Sequence, residues 1–322
     1  MKRGLALAAV AVLVGGGCVG AQTMSRAPVD PDAPGRWQSR TPMTWGRQEV
    51  AVAAVGGSVY VIGGFGTTAE PVDIVEAYDP AADQWRTVAP LPIAAHHAAA
   101  AVVDGRLFVV GGYTGGRLRW IPLGTVFEYD PARNTWRGRA QMPTPRGGLA
   151  VAALGGRFHA VGGRGNQVSN AHEVYDVAAD RWSAANRMPT ARDHLAAVGF
   201  EGRVWVLGGR ESFLGTQYAN VEIYDPTTDS WRTGTPLPGG RGGLAAAVVG
   251  GKIFVFGGEA PFRIWNATEM YDRAIDTWVA KAPMPTARHG IGAAVVGDRI
   301  YVLGGGTEPG FAATDVTEVF IP

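Results

Sequence analysis

Arginine, whose side chain can bind anionic ligands, recurs at a fixed position in this chain. It stands ten residues after a tryptophan at five places, namely Arg47, Arg146, Arg192, Arg241 and Arg288. A guanidinium group binds a carboxylate through two parallel hydrogen bonds, so arginines repeated around one axis would form a surface for acidic ligands. These five residues are therefore one candidate ligand-binding set.

Glutamate recurs in step with these arginines. It stands two residues before an aromatic residue at Glu76, Glu173, Glu222, Glu269 and Glu318. The unit that lacks the arginine, where Ala95 stands, also lacks the glutamate and has Phe127. Because the two residues are lost together, the sequence favours buried arginine–glutamate pairs over a ligand-binding role, and removal of one partner should destabilise the fold.

A second set of candidates follows six Gly-Gly pairs, in segments of variable length. These segments mix arginine with aromatic residues, a composition typical of recognition surfaces and suited to sugars and sugar acids. The candidates for a ligand-binding face are Tyr113, Arg117, Arg119, Trp120, Arg164, Arg210, Glu211, Phe262, Arg263 and Trp265. The alternative is that Trp120 and Trp265 only pack their own long loops.

Acid–base and metal chemistry receive weaker support from the sequence. Glu211, Glu259 and His289 are candidates for proton transfer, although no spacing distinguishes them. His96 and His97 are adjacent, so on a strand they would point to opposite faces and could not chelate one metal ion. The other histidines are scattered and Cys18 is the single cysteine, so we expect no metal site and no cofactor.

A repeated unit must position all of these residues. Six tryptophans are each followed 26 residues later by a Gly-Gly pair, while successive pairs lie 46 to 51 residues apart. Inside the constant segment, two short apolar runs flank a two-residue turn such as Gly155-Gly156, which predicts a β-hairpin. A third run ends in an aromatic residue, and an Asp-rich turn leads to the next tryptophan. Four strands per unit, without helical periodicity, are typical of a propeller blade.

The units predict an all-β fold, a six-bladed β-propeller of four-stranded blades over residues 36–322. Small residues at 51–55, 98–103, 244–249 and 291–296 suit the crowded innermost strands. The last unit stops after its third strand, and Trp37 precedes the first hairpin with no third strand before it. We therefore expect the N-terminal strand to complete the sixth blade, which removes a free sheet edge.

The recurring residues resemble the kelch repeat family, whose units carry a diglycine, a Glu-x-Tyr-Asp-Pro stretch and a tryptophan. All six units have the glycines and the tryptophan, and five have the tyrosine, while Val177 and Arg273 replace the proline in two. The resemblance implies a six-bladed kelch propeller. In kelch adaptors that bind acidic peptides, the arginines at this repeat position touch the ligand.

The resemblance implies little about activity, because the fold hosts binding modules and enzymes alike. Exported six-bladed kelch proteins of bacteria include sialate mutarotases. Galactose oxidase resembles the chain in fold only, since its tyrosine–cysteine crosslink needs a cysteine that the mature domain would lack.

The N-terminal residues predict export. Lys2 and Arg3 precede an apolar run at residues 5–14, which is too short to span a bilayer and has the form of a secretory signal. Cys18 follows in a context that resembles a bacterial lipoprotein cleavage box, which favours lipidation there, whereas cleavage after Ala21 would release a soluble protein. We thus expect a signal peptide at 1–21, a disordered tether at 22–35 and the propeller at 36–322.

Composition narrows the function classes. The formal net charge of +1 gives no overall attraction to nucleic acid. We expect a monomeric, exported propeller that a lipid anchor alone holds to the membrane and that binds an envelope protein or a glycan without catalysis. The alternative is a periplasmic mutarotase or epimerase that acts on a sugar acid of the sialate type.

Overall fold

The structure, a computed structural model, describes residues 32–116 and 119–322. The predicted signal peptide, Cys18 and the candidate Arg117 lie outside the described residues. The described part consists of strands, turns and loops without a helix, which confirms the all-β fold class. Consequently none of these residues belongs to a helix that could cross a membrane.

The strands of the first half of the chain are β1 (Arg36–Ser39), β2 (Ala51–Val55), β3 (Ser58–Ile62), β4 (Val75–Asp79), β5 (Gln84–Val88), β6 (Ala99–Val103), β7 (Arg106–Val110), β8 (Tyr113–Thr114), β9 (Ile121–Pro122), β10 (Val126–Asp130), β11 (Thr135–Gly138), β12 (Ala150–Leu154) and β13 (Arg157–Val161). The remaining strands are β14 (His172–Asp176), β15 (Arg181–Ala184), β16 (Ala196–Phe200), β17 (Arg203–Leu207), β18 (Val221–Asp225), β19 (Ser230–Gly234), β20 (Ala245–Val249), β21 (Lys252–Phe256), β22 (Glu259–Ala260), β23 (Arg263–Ile264), β24 (Thr268–Asp272), β25 (Thr277–Ala280), β26 (Gly292–Val296), β27 (Arg299–Leu303) and β28 (Thr317–Ile321).

Six antiparallel four-stranded sheets form the six blades of a propeller. From the axis outward, blade 1 is β2-β3-β4-β5, blade 2 is β6-β7-β10-β11 and blade 3 is β12-β13-β14-β15. Blade 4 is β16-β17-β18-β19, blade 5 is β20-β21-β24-β25 and blade 6 is β26-β27-β28-β1. The N-terminal strand therefore completes the last blade, as the sequence predicted. The short hairpins β8–β9 and β22–β23 interrupt blades 2 and 5.

The inner strands are built from small residues because six of them converge on one axis. Sequences such as Ala51–Val55 and Ala245–Val249 are mainly alanine and valine, with alternate residues buried. Between the inner strands runs an axial channel with cavities of about 170 and 320 Å³. The channel gives the molecule two mouths, and side chains from all six blades can meet at either one.

The repeated tryptophans join neighbouring blades. Each lies in an outer strand, and its indole N–H donates to a carbonyl oxygen just beyond the outer strand of the preceding blade, at 2.7–2.9 Å. Trp37 of β1 makes the same bond to Ala282, which continues the series across the point where the ring closes. Its ring also packs on Phe256 and Phe320, at centroid distances of 5.7 and 5.1 Å. Hydrogen bonding and packing thus explain why tryptophan recurs here.

The segment that the sequence assigned to a disordered tether already contacts the propeller at its C-terminal end. The carbonyl oxygen of Pro34 accepts from the backbone of Ala282, and that of Ala33 accepts from the amine of Lys281 at 2.8 Å. The ordered body therefore begins before residue 36.

Candidate functional site

A ring of six residues, one from each blade, surrounds the axis just before the inner strands. We call it the axial ring, and its members are Glu49, His97, Gly148, His194, Gly243 and Gly290. The backbone N–H of each member donates to the carbonyl oxygen of the member from the preceding blade, and the six bonds of 2.8–3.0 Å close into a cycle. All six members have a positive φ, between 54° and 65°.

Three members carry side chains although this backbone conformation favours glycine. Glu49, His97 and His194 each have a φ of 54°, a conformation that costs an L residue about 1–2 kcal/mol. Residues held in such conformations cluster at functional sites. Their side chains line both the axial channel and the pocket at its mouth.

The axial pocket is a cavity of about 250 Å³ at this mouth of the channel. Its walls are aromatic and its floor is polar. The residues that line it are Gln48, Glu49, Phe65, His97, Trp120, His194, Arg210, Phe213, Glu259, His289, Gly310 and Phe311. Trp120 and Phe311 are 39% and 46% exposed, so aromatic surface faces the entrance while the charged groups lie below it.

The aromatic wall is built from three blades. Phe65 of blade 1 is buried and stacks on His96 with the ring centroids 3.8 Å apart. Trp120, from the loop of blade 2, lies 5.6 Å from Phe65, and Phe311 of blade 6 lies 5.2 Å from it. Trp120 therefore packs beyond its own loop, against His97 of the floor and Phe65 of the neighbouring blade.

Two imidazoles and one carboxylate meet at the floor. His97 Nε2 lies 3.0 Å from His194 Nε2 and 3.3 Å from Glu49 Oε2. The donor atoms of Glu49, His97 and His194 all lie within 4.8 Å of one another, so together they could hold a metal ion. On the far side of His97, its Nδ1 lies 2.5 Å from Nδ1 of His96.

A buried ion-pair network surrounds this cluster. Arg210 donates to Glu259 Oε1 at 2.6 Å and to His194 Nε2 at 2.8 Å. Asp193 Oδ1 lies 2.7 Å from His194 Nδ1, and the other oxygen of Asp193 accepts from Arg164 Nε at 2.6 Å. Glu259 Oε2 is buried without a hydrogen-bond partner among the described residues.

The titration behaviour of the cluster follows from its burial and its charges. Burial opposes ionisation of Glu49, yet the nearby imidazoles of His97, His289 and His194 hold the pKa of this carboxyl well below its usual range. Burial lowers the pKa of His97 to about 3, against the opposing charge of Glu49. Burial also acts to lower the pKa of His289, but Glu49 and Glu259 outweigh it and raise that pKa. The floor thus offers a carboxylate beside an imidazole that holds its proton more tightly than usual.

The five repeated arginines do not reach the axial pocket. Each guanidinium is fully buried and forms an ion pair with the glutamate of its own blade: Arg47 with Glu76, Arg146 with Glu173, Arg192 with Glu222, Arg241 with Glu269, and Arg288 with Glu318. Arg47 also donates to the carbonyl oxygens of Gly63 and Ile74, at 3.1 and 2.8 Å. These contacts tie the inner three strands of the blade together.

The loop candidates separate into two groups. Trp120 and Arg210 line the axial pocket, and Tyr113 is buried beneath Trp120. Arg164 forms an ion pair with Asp193, which lies next to the cluster. The others lie elsewhere: Arg119, Glu211, Phe262 and Arg263 are exposed, and Trp265 is sandwiched between Arg241 and Arg263 at 5.0 and 3.8 Å. The loop of Trp265 therefore has packing of its own, away from the pocket.

Sequence reasoning missed the core of this site. The argument that His96 and His97 point to opposite faces is wrong, because neither lies on a strand and His97 has a left-handed backbone that turns both rings toward each other. The partners of His97 come from other blades, so no local spacing reveals them. Their signal is positional: Glu49, His97 and His194 occupy the same place in three units, two residues after Arg47, Ala95 and Arg192.

Comparisons with known proteins agree with the architecture. The sequence profile of the KLHDC2/KLHL20/DRC7 Kelch-repeats domain matches residues 35–188 and 183–305. Mouse Kelch-like protein 35 is 30% identical over 139 residues, which are 43% of this chain and 23% of that protein. The chain thus matches less than a quarter of this relative.

A solved structure, titled "Structure of YjhT", superposes with a TM-score of 0.74 over 86% of this chain and 95% of that chain. At 18% identity this similarity concerns the fold alone.

Proposed function

The chain belongs to the kelch-repeat family, and from this premise we propose that it is an exported, lipid-anchored binding module that holds a glycan in the axial pocket. The single observation that carries the proposal is the arrangement of exposed aromatic rings over a buried floor of carboxylates, imidazoles and arginine. Sugars present apolar ring faces and polar edges, so this arrangement complements both. The dimensions of the axial pocket add support for a glycan among the ligand classes that the sequence left open.

The size of the pocket favours a glycan over a protein partner. Its volume of about 250 Å³ is below the range of about 300–1,000 Å³ that is usual for drug-sized ligands. A single sugar unit fits such a space, whereas a stable protein partner needs a broad contact of about 800 Å² on each side. Arg210 is the cationic group that an acidic substituent of the sugar would meet in the pocket, in competition with Glu259, which one of its amino groups already binds.

Export and anchoring rest on the N-terminal sequence. The basic residues Lys2 and Arg3, the apolar run at 5–14 and Cys18 have the order of a lipoprotein signal. Replacement of Cys18 by serine should abolish labelling of the protein by radioactive fatty acid in a bacterial host. A wild-type protein that never becomes labelled, while being exported, would refute the anchor and leave the soluble form.

Direct titration tests the glycan proposal. Sialic acid and uncharged monosaccharides are titrated into the purified protein by calorimetry, with Trp120→Ala as the pocket variant and Trp265→Ala as the matched control from the loop of blade 5. We expect Trp120→Ala to weaken binding by about tenfold or more, because it removes an aromatic wall, and Trp265→Ala to leave the affinity unchanged. Equal losses in the two variants, or no binding by any sugar, would contradict the proposal.

A mutarotase is the second candidate, favoured by the acid–base character of the floor. His289 Nδ1 lies 3.6 Å from Glu49 Oε1 and 3.4 Å from Glu259 Oε1, and it is buried without a hydrogen bond among the described residues. A proton donor beside a carboxylate can shift a proton on a bound sugar. Anomer exchange of freshly dissolved sialic acid, followed by NMR, distinguishes the candidates: acceleration that is lost in His289→Gln would establish catalysis and defeat the binding-only proposal.

A further inference from the structure

We propose that Glu49, His97 and His194 form a binding site for a divalent transition-metal ion of the zinc class, at the constriction between the axial pocket and the axial channel. Two imidazoles and one carboxylate, with a fourth position left open, are the ligand set of many catalytic zinc sites. Imidazole ligands select zinc and its transition-metal neighbours over magnesium and calcium. This inference stands independently of the glycan proposal.

The distances between the donor atoms suit a four-coordinate ion. Bonds of about 2.0–2.1 Å to a tetrahedral zinc ion place neighbouring ligand atoms about 3.3–3.4 Å apart. The observed separations from His97 Nε2 are 3.0 Å to His194 Nε2 and 3.3 Å to Glu49 Oε2. These two separations match two edges of the tetrahedron, and because all the donor atoms lie within 4.8 Å of one another, an ion would complete its third edge by drawing Glu49 and His194 together.

Each of the two histidines makes a further contact through its Nδ1 atom, and these contacts orient the two Nε2 atoms toward one point. Asp193 Oδ1 lies 2.7 Å from His194 Nδ1, which places the proton on Nδ1 and the lone pair on Nε2. Such carboxylate–histidine pairs are the usual outer support of a metal-binding imidazole. Asp193 is itself held by Arg164, so the orientation of His194 is fixed from outside the cluster.

His97 is supported by a second histidine in place of a carboxylate. Its Nδ1 lies 2.5 Å from His96 Nδ1, and His96 Nε2 is buried without a partner among the described residues. When His97 Nε2 binds a metal, its proton moves to Nδ1 and is donated to His96 Nδ1, while His96 carries its own proton on Nε2. Two neutral imidazoles make this exchange without a net gain or loss of protons.

Arg210 competes with the ion for one ligand atom. Its Nη2 donates to His194 Nε2 at 2.8 Å, while its Nη1 binds Glu259 at 2.6 Å. A metal ion would take the lone pair of His194 and leave the guanidinium on Glu259. Removing the arginine should therefore tighten metal binding, because both the competing hydrogen bond and a nearby positive charge disappear.

Metal titration of the full-length chain tests the site. The protein carries Cys18→Ser and no tag, so that neither its thiol nor added histidines bind metal, and it is stripped of metal with a chelator. Cobalt(II) is then added while the visible absorption bands of the four-coordinate ion are followed, and zinc is used to displace it. We expect about one equivalent per chain, with affinity reduced by about tenfold or more in His194→Ala and in the nearly isosteric Glu49→Gln.

The matched control is the buried histidine pair of blade 3. His159 and His172 lie 2.9 Å apart and outside the lining of the axial pocket, so the double variant His159→Gln/His172→Gln should bind cobalt like the parent protein. Arg210→Gln should bind it more tightly. Should His194→Ala fail to fold, Glu49→Gln and Arg210→Gln decide the question. Absence of uptake, or uptake unchanged in Glu49→Gln and Arg210→Gln, would overturn the proposal.

Discussion

The three side chains of the axial ring stand where the backbone conformation favours glycine, and this should lower the stability of the fold. Gly148, Gly243 and Gly290 fill the other positions of the ring with the same left-handed φ. The backbone conformation therefore suits glycine at all six places, and the side chains of Glu49, His97 and His194 are held there against that backbone preference. Such strain is expected where a side chain serves binding or chemistry.

Substitution of His194 separates this strain from other effects. Both His194→Gly and His194→Ala remove the imidazole and its bonds to Asp193 and Arg210, so the two variants differ mainly in backbone preference. We expect His194→Gly to be the more stable variant by about 1 kcal/mol, as measured by urea unfolding. At the exposed position 86 in β5 the order should reverse, with Arg86→Ala more stable than Arg86→Gly. A more stable alanine at position 194 would contradict the role assigned to φ.

A second pair of histidines should make stability sensitive to acid. Burial lowers the pKa of His159 to about 3 and that of His172 to about 4. The positive charge of Arg157 also opposes protonation of His159, whereas the negative charge of Asp229 favours protonation of His172. Both are therefore neutral in the fold, whereas in the unfolded chain they titrate near 6.5. The free energy of unfolding is then highest above pH 6.5 and falls as the pH drops through 6.5 toward 4. At pH 5 the loss is about 2 kcal/mol per histidine.

Urea unfolding between pH 7.5 and 4.5 checks this effect. The double variant His159→Gln/His172→Gln should lose stability less steeply than the wild type over that range, because two groups that bind protons only when unfolded are gone. Parallel curves for the two proteins would show that the pair does not control the acid sensitivity.

In five of the six blades, a buried arginine–glutamate pair links the strands of the blade. Arg146 donates to the carbonyl oxygens of Gly162 and Ala160 and forms its ion pair with Glu173, so one guanidinium contacts the second and third strands at once. Glycine makes room for this path. A Cβ at Gly258 would lie 3.2 Å from the side chain of Arg241, and the residue has a φ of 104°.

Blade 2 suggests how such a pair can be removed. Glu173→Phe alone should destabilise the protein by about 3–5 kcal/mol, because it leaves the Arg146 guanidinium buried without its counter-charge. The double variant Arg146→Ala/Glu173→Phe reproduces the residues of blade 2, where Ala95 and Phe127 stand. We expect it to unfold at a higher urea concentration than the single variant. Additive losses would argue against coupling of the two residues.

The blades were predictable from the sequence because their determinants are local and repeated. A tryptophan, a two-residue turn and a diglycine recur at constant spacing, and each is explained by a contact that every unit makes, such as the indole bond of Trp85 or Trp136 to the preceding blade. The residues of the candidate site are different. Glu49, His97 and His194 lie far apart in the chain and meet only because six units close around one axis, so their proximity is a property of the closed ring and not of any one unit.

Closure of the molecule depends on contacts at two radii. Near the axis, the six backbone bonds of the axial ring form an unbroken cycle. At the periphery, six indole bonds join successive blades, and the bond between Trp37 and Ala282 closes that circle. Strand β1 pairs with β28 over four residues, from Arg36 opposite Ile321 to Ser39 opposite Glu318. Strand β1 therefore closes the ring by completing blade 6.

Deletion of residues 36–46 tests whether β1 closes the ring. The deletion removes β1, leaves β28 as an open edge and uncovers Phe320, which is fully buried under Trp37. Open edges pair with other chains, so we expect a lower melting temperature together with dimers or larger species in light scattering after size-exclusion chromatography. Trp37→Phe should act more mildly, with a loss of about 1 kcal/mol, because it keeps the aromatic contact and removes only the indole hydrogen bond. A truncated protein that stays monomeric with an unchanged melting temperature would show that the ring closes without β1.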